Sequence, residues 1–375
     1  MSQASTLQKS KVRDIIGLNE LQKSMLYYYI QDSSSDAYLE QIVFLLPENI
    51  VEERCVQAWK AVVNSHAALR SVFRWEGLKE PVQILLKEMP DPIFFEDLSS
   101  KTLPEDIENY IFQNDREKKI DITKNPYRIT FYKINEKNQY AVSLLSNHIL
   151  FDGWSTSILV NQFIQNYKKL ANGIPLAPAD EDDSVFLCKR RSDETEALRE
   201  FWKPHLENCV QQPYIEEVSM ECTNNAISNA YYDFPILDDI CLENGNEAAA
   251  YYLAWGIFLN KYLNIRNVMF GTTVSGRVDA EPGIENAVGV FIKTIPLAIP
   301  FDHEKTVDEL LAEVRNFLTQ RSDYEEITYA DIREYAQVYD RDSLYNSIVV
   351  IENYPIEQSL LQYDRDIYIQ KYFFR

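Results

Sequence analysis

Apolar residues recur at helical spacing in several well-separated blocks of the chain. Leu18, Leu21, Met25, Leu26 and Tyr29 share one face behind Asn19 and Glu20, which predicts an amphipathic helix opening near residue 18. A second helix is predicted over 52–65: Cys55, Ala58, Trp59, Val62 and Val63 form its apolar face, and Glu52 and Glu53 suit its N-terminus. Residues 69–75 and 82–86 read as strands of a hairpin turning at Glu76-Gly77. The stretch 90–126 is mixed and charged, with a helix expected near 105–113. Residues 127–134 and 139–146 read as two strands around a polar turn. A strongly periodic helix follows, with Leu159, Val160, Phe163, Ile164 and Tyr167 on one face and Ser155 or Thr156 as the expected cap.

Residues 172–184 hold Gly173, Pro175, Pro178 and the acidic run Glu181-Asp182-Asp183, the strongest boundary signal in the chain. Beyond it, helices are predicted near 195–208, 247–263 and 307–321. Strands are predicted near 229–234, 268–274 and 288–298, with a buried one at 347–351. This divides the chain into a polar segment (1–14), a mixed α/β lobe (15–175) and a second lobe of the same class (176–375). There is no residue-level repeat.

Composition narrows the function classes. Thirty-seven basic against 58 acidic residues give a net charge of −21, and with no Lys/Arg stripe this argues against nucleic-acid binding, which needs phosphate neutralisation. The longest strongly apolar uncharged stretch, 248–259, is too short to span a bilayer, and the polar N-terminus lacks a secretory h-region. The five cysteines (Cys55, Cys188, Cys209, Cys222, Cys241) are odd in number and widely spaced, as expected for thiols of a reducing cytoplasm. With only 10 glycines in 375 residues, each is expected where backbone geometry demands it.

Candidate chemistry centres on one of four histidines. His205 and His303 are expected at the surface, and His66 closes the second helix. His148 ends an apolar strand and is followed by Asp152-Gly153, a tight turn into a helix; such junctions present reactive side chains in α/β proteins. H-x-x-x-D-G alone also fits a histidine satisfied by local hydrogen bonds. No other His or Cys stands at ligand spacing, so no metal site is expected.

Context decides between these readings. N-H-I-L-F-D-G-W-S (147–155) resembles the H-H-x-x-x-D-G-W-S signature of condensation domains of nonribosomal peptide synthetases, which share a fold group with chloramphenicol acetyltransferase. L-N-E-L-Q-K-S-M-L-Y (18–27) resembles the family's first motif and H-A-A-L-R-S-V-F (66–73) its second. F-W-K-P-H-L (201–206), G-T-T-V-S-G-R (271–277), V-G-V-F-I-K-T (288–294) and I-E-N-Y-P-I-E (351–357) are similar to later ones, in the family's order. The resemblance thus runs from residue 18 to 357.

It implies a mixed α/β fold of two acetyltransferase-like lobes arranged as a V-shaped pseudo-dimer. It also implies amide-bond formation between a donor acyl or peptidyl thioester and the amine of an acceptor aminoacyl thioester. Both would be carried on phosphopantetheine arms of peptidyl carrier proteins, upstream and downstream, with no permanently bound cofactor. An adenylation domain of the same synthetase is expected as a further partner, because the chain itself shows no nucleotide loop and no G-G-x-S arm-attachment motif. His148 takes the place of the family's second histidine, which meets the reacting groups. As a neutral imidazole it would accept the amine's proton, or hold the amine and stabilise the tetrahedral intermediate.

By the same resemblance, Asp152 would form a structural ion pair with Arg277. Gly153 would leave room for the thioester and expose a backbone N–H, Trp154 would pack at a tunnel wall, and Ser155 would support the turn. Gly276, Gly289 and Lys293 are expected along the tunnel or lobe interface. Two departures stand out: Asn147 replaces the signature's first histidine, and Lys293 replaces the usual asparagine of V-G-x-F-V-N-T. The C-terminal lobe is expected to be incomplete, leaving 368–374 without a sheet neighbour. Two alternatives stay open: an acyltransferase of the same fold acting on a soluble amine or alcohol, and a catalytically silent carrier-binding domain.

Overall fold

A computed structural model describes residues 8–32, 36–100, 106–177, 196–207, 247–277, 283–302, 304–338, 344, 347–351 and 358–374. In chain order the elements are β1 (Val12–Gly17), α1 (Glu20–Gln31), β2 (Leu39–Leu45), α2 (Glu52–Ser65), β3 (Ser71–Arg74), β4 (Val82–Leu86), β5 (Ile93–Asp97), α3 (Ile107–Arg116), β6 (Tyr127–Lys133), β7 (Tyr140–Asn147) and α4 (Gly153–Ala171). There follow α5 (Glu196–Leu206), α6 (Glu247–Leu263), β8 (Asn267–Val274), β9 (Lys293–Pro300), α7 (Val307–Arg321), α8 (Tyr329–Tyr335), β10 (Ile348–Val349), α9 (Gln358–Leu361) and β11 (Lys371–Phe374). The described residues group into two compact units. One takes everything up to residue 177 together with 283–291 and 358–374; the other takes 196–277 and 292–351.

The first unit is organised by a five-stranded sheet in the order β11-β2-β7-β6-β5, antiparallel except for the parallel β5–β6 pair. Both faces are covered. Ile42 and Phe44 of β2 join the large core under α2 and α4, where Trp59 stacks on Phe163 at 4.7 Å between centroids. Val43 faces the other way, into the cluster of Tyr132, Ala141 and the α3 residues Ile111 and Phe112. Double coverage explains why residues 42–45 of β2 are apolar in succession, without alternation. A smaller antiparallel sheet, β1-β4-β3, completes the unit.

The α3 face also buries a charge. Asp115, fully buried, accepts Arg128 Nε at 2.9 Å, Ser143 Oγ at 2.7 Å and Thr130 Oγ1 at 3.2 Å. Every carboxylate oxygen thus has a donor, the condition under which a buried acid is tolerated.

In the second unit β8 pairs antiparallel with β9 and parallel with β10. Val268 and Phe270 of β8 pack with Leu253 of α6 and Leu310 and Val314 of α7. On the opposite face Met269 and Val274 meet Trp202 of α5 and Ile332 and Tyr335 of α8. Gly256 of α6 lies against β9: a Cβ there would come within 2.8 Å of Ile299 Cδ1.

Several sequence expectations need correction. The division is not colinear: 283–291 and 358–374 belong with the first unit, and β1 already begins at Val12. Residues 371–374 do have a sheet neighbour, since β11 pairs with β2 over Lys371↔Leu45 to Phe374↔Ile42, and Ile367 and Ile369 are buried. The strand expected at 288–298 starts only at Lys293. The strand expected as buried at 347–351 is the two-residue edge strand β10, with Ile348 53% exposed. The helix after His148 is capped by Asp152 rather than Ser155 or Thr156. His205 is half-buried, not superficial, packing on Phe201 and Phe317 with Nδ1 2.7 Å from the Phe201 carbonyl oxygen. The strand expected at 229–234, residues 352–357, His303 and the cysteines other than Cys55 lie outside the described residues. Among the described residues no helix is long and apolar enough to cross a membrane.

Candidate functional site

The site is built at the end of β7, all eight of whose residues are buried. The strand closes with Asn147 N–H donating to the Pro126 carbonyl at 2.9 Å, and His148 N–H to that of Tyr38 at 2.8 Å. The chain then turns: Leu150 N–H donates to Asn147 O at 3.0 Å, and Asn147 Oδ1 accepts Ile149 N–H at 3.1 Å. The buried Asn147 side chain is therefore spent on shaping the turn.

Asp152 is the N-cap of α4 and is 2% exposed. Its Oδ1 accepts Ser155 N–H at 3.0 Å and lies 2.8 Å from Ser155 Oγ; its Oδ2 accepts Phe291 N–H at 2.9 Å. Asp152 N–H donates to Gly289 O at 3.0 Å, and Gly289 N–H to Ser155 Oγ at 3.1 Å. Trp154, half-buried, donates Nε1–H to Glu285 O at 3.1 Å. Gly153 is the buried first residue of α4. The D-G-W-S segment thus grips 285–291, which explains why 288–292 is held as a loop instead of joining β9. A Cβ on Gly289 would meet the Phe291 ring at 3.1 Å.

The earlier motifs converge on the same turn. Asn19 and Gln22 form the capping box of α1. Asn19 Nδ2 also donates to Val290 O at 3.1 Å, and Gln22 Nε2 to Ile149 O at 2.9 Å. Gln22 Nε2 further contacts Gln83 Oε1, whose amide donates to Ser71 Oγ of the second motif at 3.0 Å. His66, buried at the C-terminus of α2, has Nε2 2.7 Å from Gln162 Oε1 of α4, a packing role.

His148 itself is held at both ring nitrogens. Nδ1 lies 3.1 Å from the Phe151 carbonyl oxygen, and Nε2 lies 3.0 Å from Glu40 Oε1. Glu40 sits on β2 opposite Ser146 in register, diagonal to His148, a cross-strand separation long side chains bridge. Burial pulls the imidazole down, but the Glu40 carboxylate, by charge and hydrogen bond, outweighs it, with Asp152 adding a smaller contribution. The net effect raises His148 from 6.5 to about 9.

Three of the expected site residues belong to the second unit. Arg277 is buried and its N–H donates to Ser275 Oγ at 3.3 Å; Gly276 has φ +64°, a left-handed conformation that favours glycine. Lys293, at the start of β9, donates Nζ to Glu326 Oε1 at 2.5 Å and to Glu325 O at 3.1 Å, so an acidic side chain offsets its charge. Their placement along a tunnel and the Asp152–Arg277 pair stay expectations of the resemblance. Sequence reasoning missed Glu40 entirely, and with it the strand that carries it.

The family model described as "Condensation domain" matches residues 12–370. Gramicidin S synthase 2 of Brevibacillus brevis is 29% identical over 370 residues, 95% of this chain and 8% of that protein. Tyrocidine synthase 2 of Brevibacillus parabrevis is 28% identical over 373 residues, 95% of this chain and 10% of that protein. The chain therefore spans at most a tenth of the length of either. Among solved structures, a starter condensation domain of rhizomide synthetase in complex with C8-CoA superposes with a TM-score of 0.73 at 14% identity, covering 91% of this chain and 78% of that one.

Proposed function

The chain belongs to the condensation-domain family of nonribosomal peptide synthetases, with its acetyltransferase-like fold, and from that premise we propose that it forms an amide bond between two carrier-bound substrates. The amine of an acceptor aminoacyl thioester attacks the carbonyl of a donor acyl or peptidyl thioester, and the donor's thiol leaves. Both reactants arrive on phosphopantetheine arms as substrates, loaded by an adenylation domain and held by carrier proteins. Tethering two reactants removes a large entropic term from the barrier, so positioning carries much of the rate.

The observation that carries this reading is the fixed imidazole of His148. It sits at a strand-to-helix turn pinned by Asn147, Asp152, Gln22 and the 285–291 segment, with Nδ1 locked on the Phe151 carbonyl. A ring so held is oriented before substrate arrives, as a group meeting a tetrahedral intermediate must be. Asp152, Ser155 and Gly289 maintain the turn, and Gly153 opens the helix beside it.

The test supplies donor and acceptor on separate carriers and detects dipeptidyl-carrier by mass spectrometry. Product that disappears in His148→Ala, with carrier binding retained, is the expected result. Product from a free amine at a similar rate would favour an acyltransferase acting on a soluble acceptor. Carrier binding without turnover would leave a recruiting role.

A further inference from the structure

The two contacts of His148 constrain its protons without reference to any titration. A carbonyl oxygen only accepts, so Nδ1 must carry a hydrogen to bond Phe151. In the neutral ring that leaves Nε2 a bare lone pair, yet Nε2 faces a carboxylate oxygen at 3.0 Å. Two acceptors do not meet at that distance, so one more proton must lie between them. The Nε2 lone pair, which a neutral imidazole would use to take the amine's proton, is therefore occupied.

We propose that Glu40 and His148 act as one proton-exchanging pair, with the Glu40 carboxylate as the proton acceptor and the His148 imidazolium as the proton donor. Resting on the amide-forming reading above, the step balances. The amine attacks, the C–N bond forms, and the nitrogen's surplus proton passes to the Glu40 carboxylate. The C–S bond then breaks, and the departing thiolate takes the Nε2 proton. Transfer from the Glu40 acid to the now neutral ring restores the pair. Glu40 is one-third exposed at its side chain and so can be reached by an incoming amine, whereas His148 is 17% exposed.

The charged groups acting on the ring are Glu40 from β2 and Asp152 from the turn into α4. The Asp152 carboxylate accepts Ser155 N–H and Phe291 N–H within the turn, whereas Glu40 Oε1 lies on Nε2 itself, so Glu40 is the carboxylate placed to exchange a proton with the ring. The raised affinity of the ring for its proton agrees: at pH 7 only roughly one molecule in a hundred would hold it neutral.

Imidazole nitrogen shifts of the full chain, followed by NMR against pH, test the pair without any substrate. His148 should titrate more than one unit above an ordinary histidine, and Glu40→Gln, which keeps shape but removes the charge, should lower that midpoint by more than one unit. Glu40→Asp should lie between the two. A wild-type midpoint near 6.5, or one indifferent to Glu40→Gln, overturns the pairing whatever the enzyme does. In the carrier assay, Glu40→Gln should lower kcat at least tenfold with KM little changed, and an undiminished kcat overturns the acceptor role. If the wild type makes no dipeptide, the amide-forming reading fails while the titration still decides the pair.

Discussion

Replacing Asp152 probes how the site is held. Its carboxylate accepts Ser155 N–H, contacts Ser155 Oγ and accepts Phe291 N–H, all in the interior. Asp152→Ala removes the N-cap, which costs about 1 kcal/mol, and strands the Phe291 N–H, whose lost bond to a charged acceptor costs about 2 kcal/mol more. The expected loss is therefore about 3 kcal/mol by urea denaturation, with hydrogen-exchange protection of the Phe291 amide falling as well. Asp152→Ser separates the two contributions, because a serine oxygen can cap Ser155 N–H but is too short to span to Phe291. It should recover about 1 kcal/mol and leave the Phe291 amide exchanging fast.

The same residue tests the ion pair expected from the family resemblance. In a double-mutant cycle with Arg277→Ala, a coupling above about 1 kcal/mol supports the pair, and additive losses argue against it. Asp152→Ala within about 1 kcal/mol of wild type, or full rescue by serine, would refute the hydrogen-bond reasoning itself.

Two further outcomes follow from buried charges. His148 binds its proton more tightly folded than unfolded, so its contribution to stability is complete below about pH 6.5 and is lost as pH rises towards about 9. That loss should be on the order of 3 kcal/mol in denaturation midpoints compared across that window, and should shrink in Glu40→Gln; a flat profile in the wild type would contradict it. Asp115→Ala leaves Arg128, 13% exposed, without its carboxylate and should cost about 3–5 kcal/mol, read by thermal or urea unfolding, with little effect if the network is only superficial.

What could be read from the sequence was whatever local periodicity or a short motif encodes. Three helices, α2, α6 and α7, have the predicted limits: in α2 and α7 an apolar face repeats every turn, and in α6 a long, nearly uninterrupted apolar run states its own length. Strand β2 carries no period-two signal, because both its faces are covered and L-E-Q-I-V-F-L shows no alternation. Strand β5 lies in a charged stretch and is defined by its parallel pairing with β6. Hydroxyls crowd the start of α4, yet its cap is Asp152, whose carboxylate satisfies both Ser155 and a backbone amide 139 residues away. The signature located His148, Asp152 and Gly153, but nothing in a one-dimensional pattern reveals which side chain from another strand meets the imidazole. Glu40 reaches it only because β2 and β7 pair with Glu40 opposite Ser146. A one-residue slip in that register would turn Glu40 to the other face and free Nε2. The proton chemistry of the site is thus set by sheet register as much as by the motif, and a homologue with the same signature but an apolar residue at this β2 position would be expected to keep its histidine neutral near pH 7.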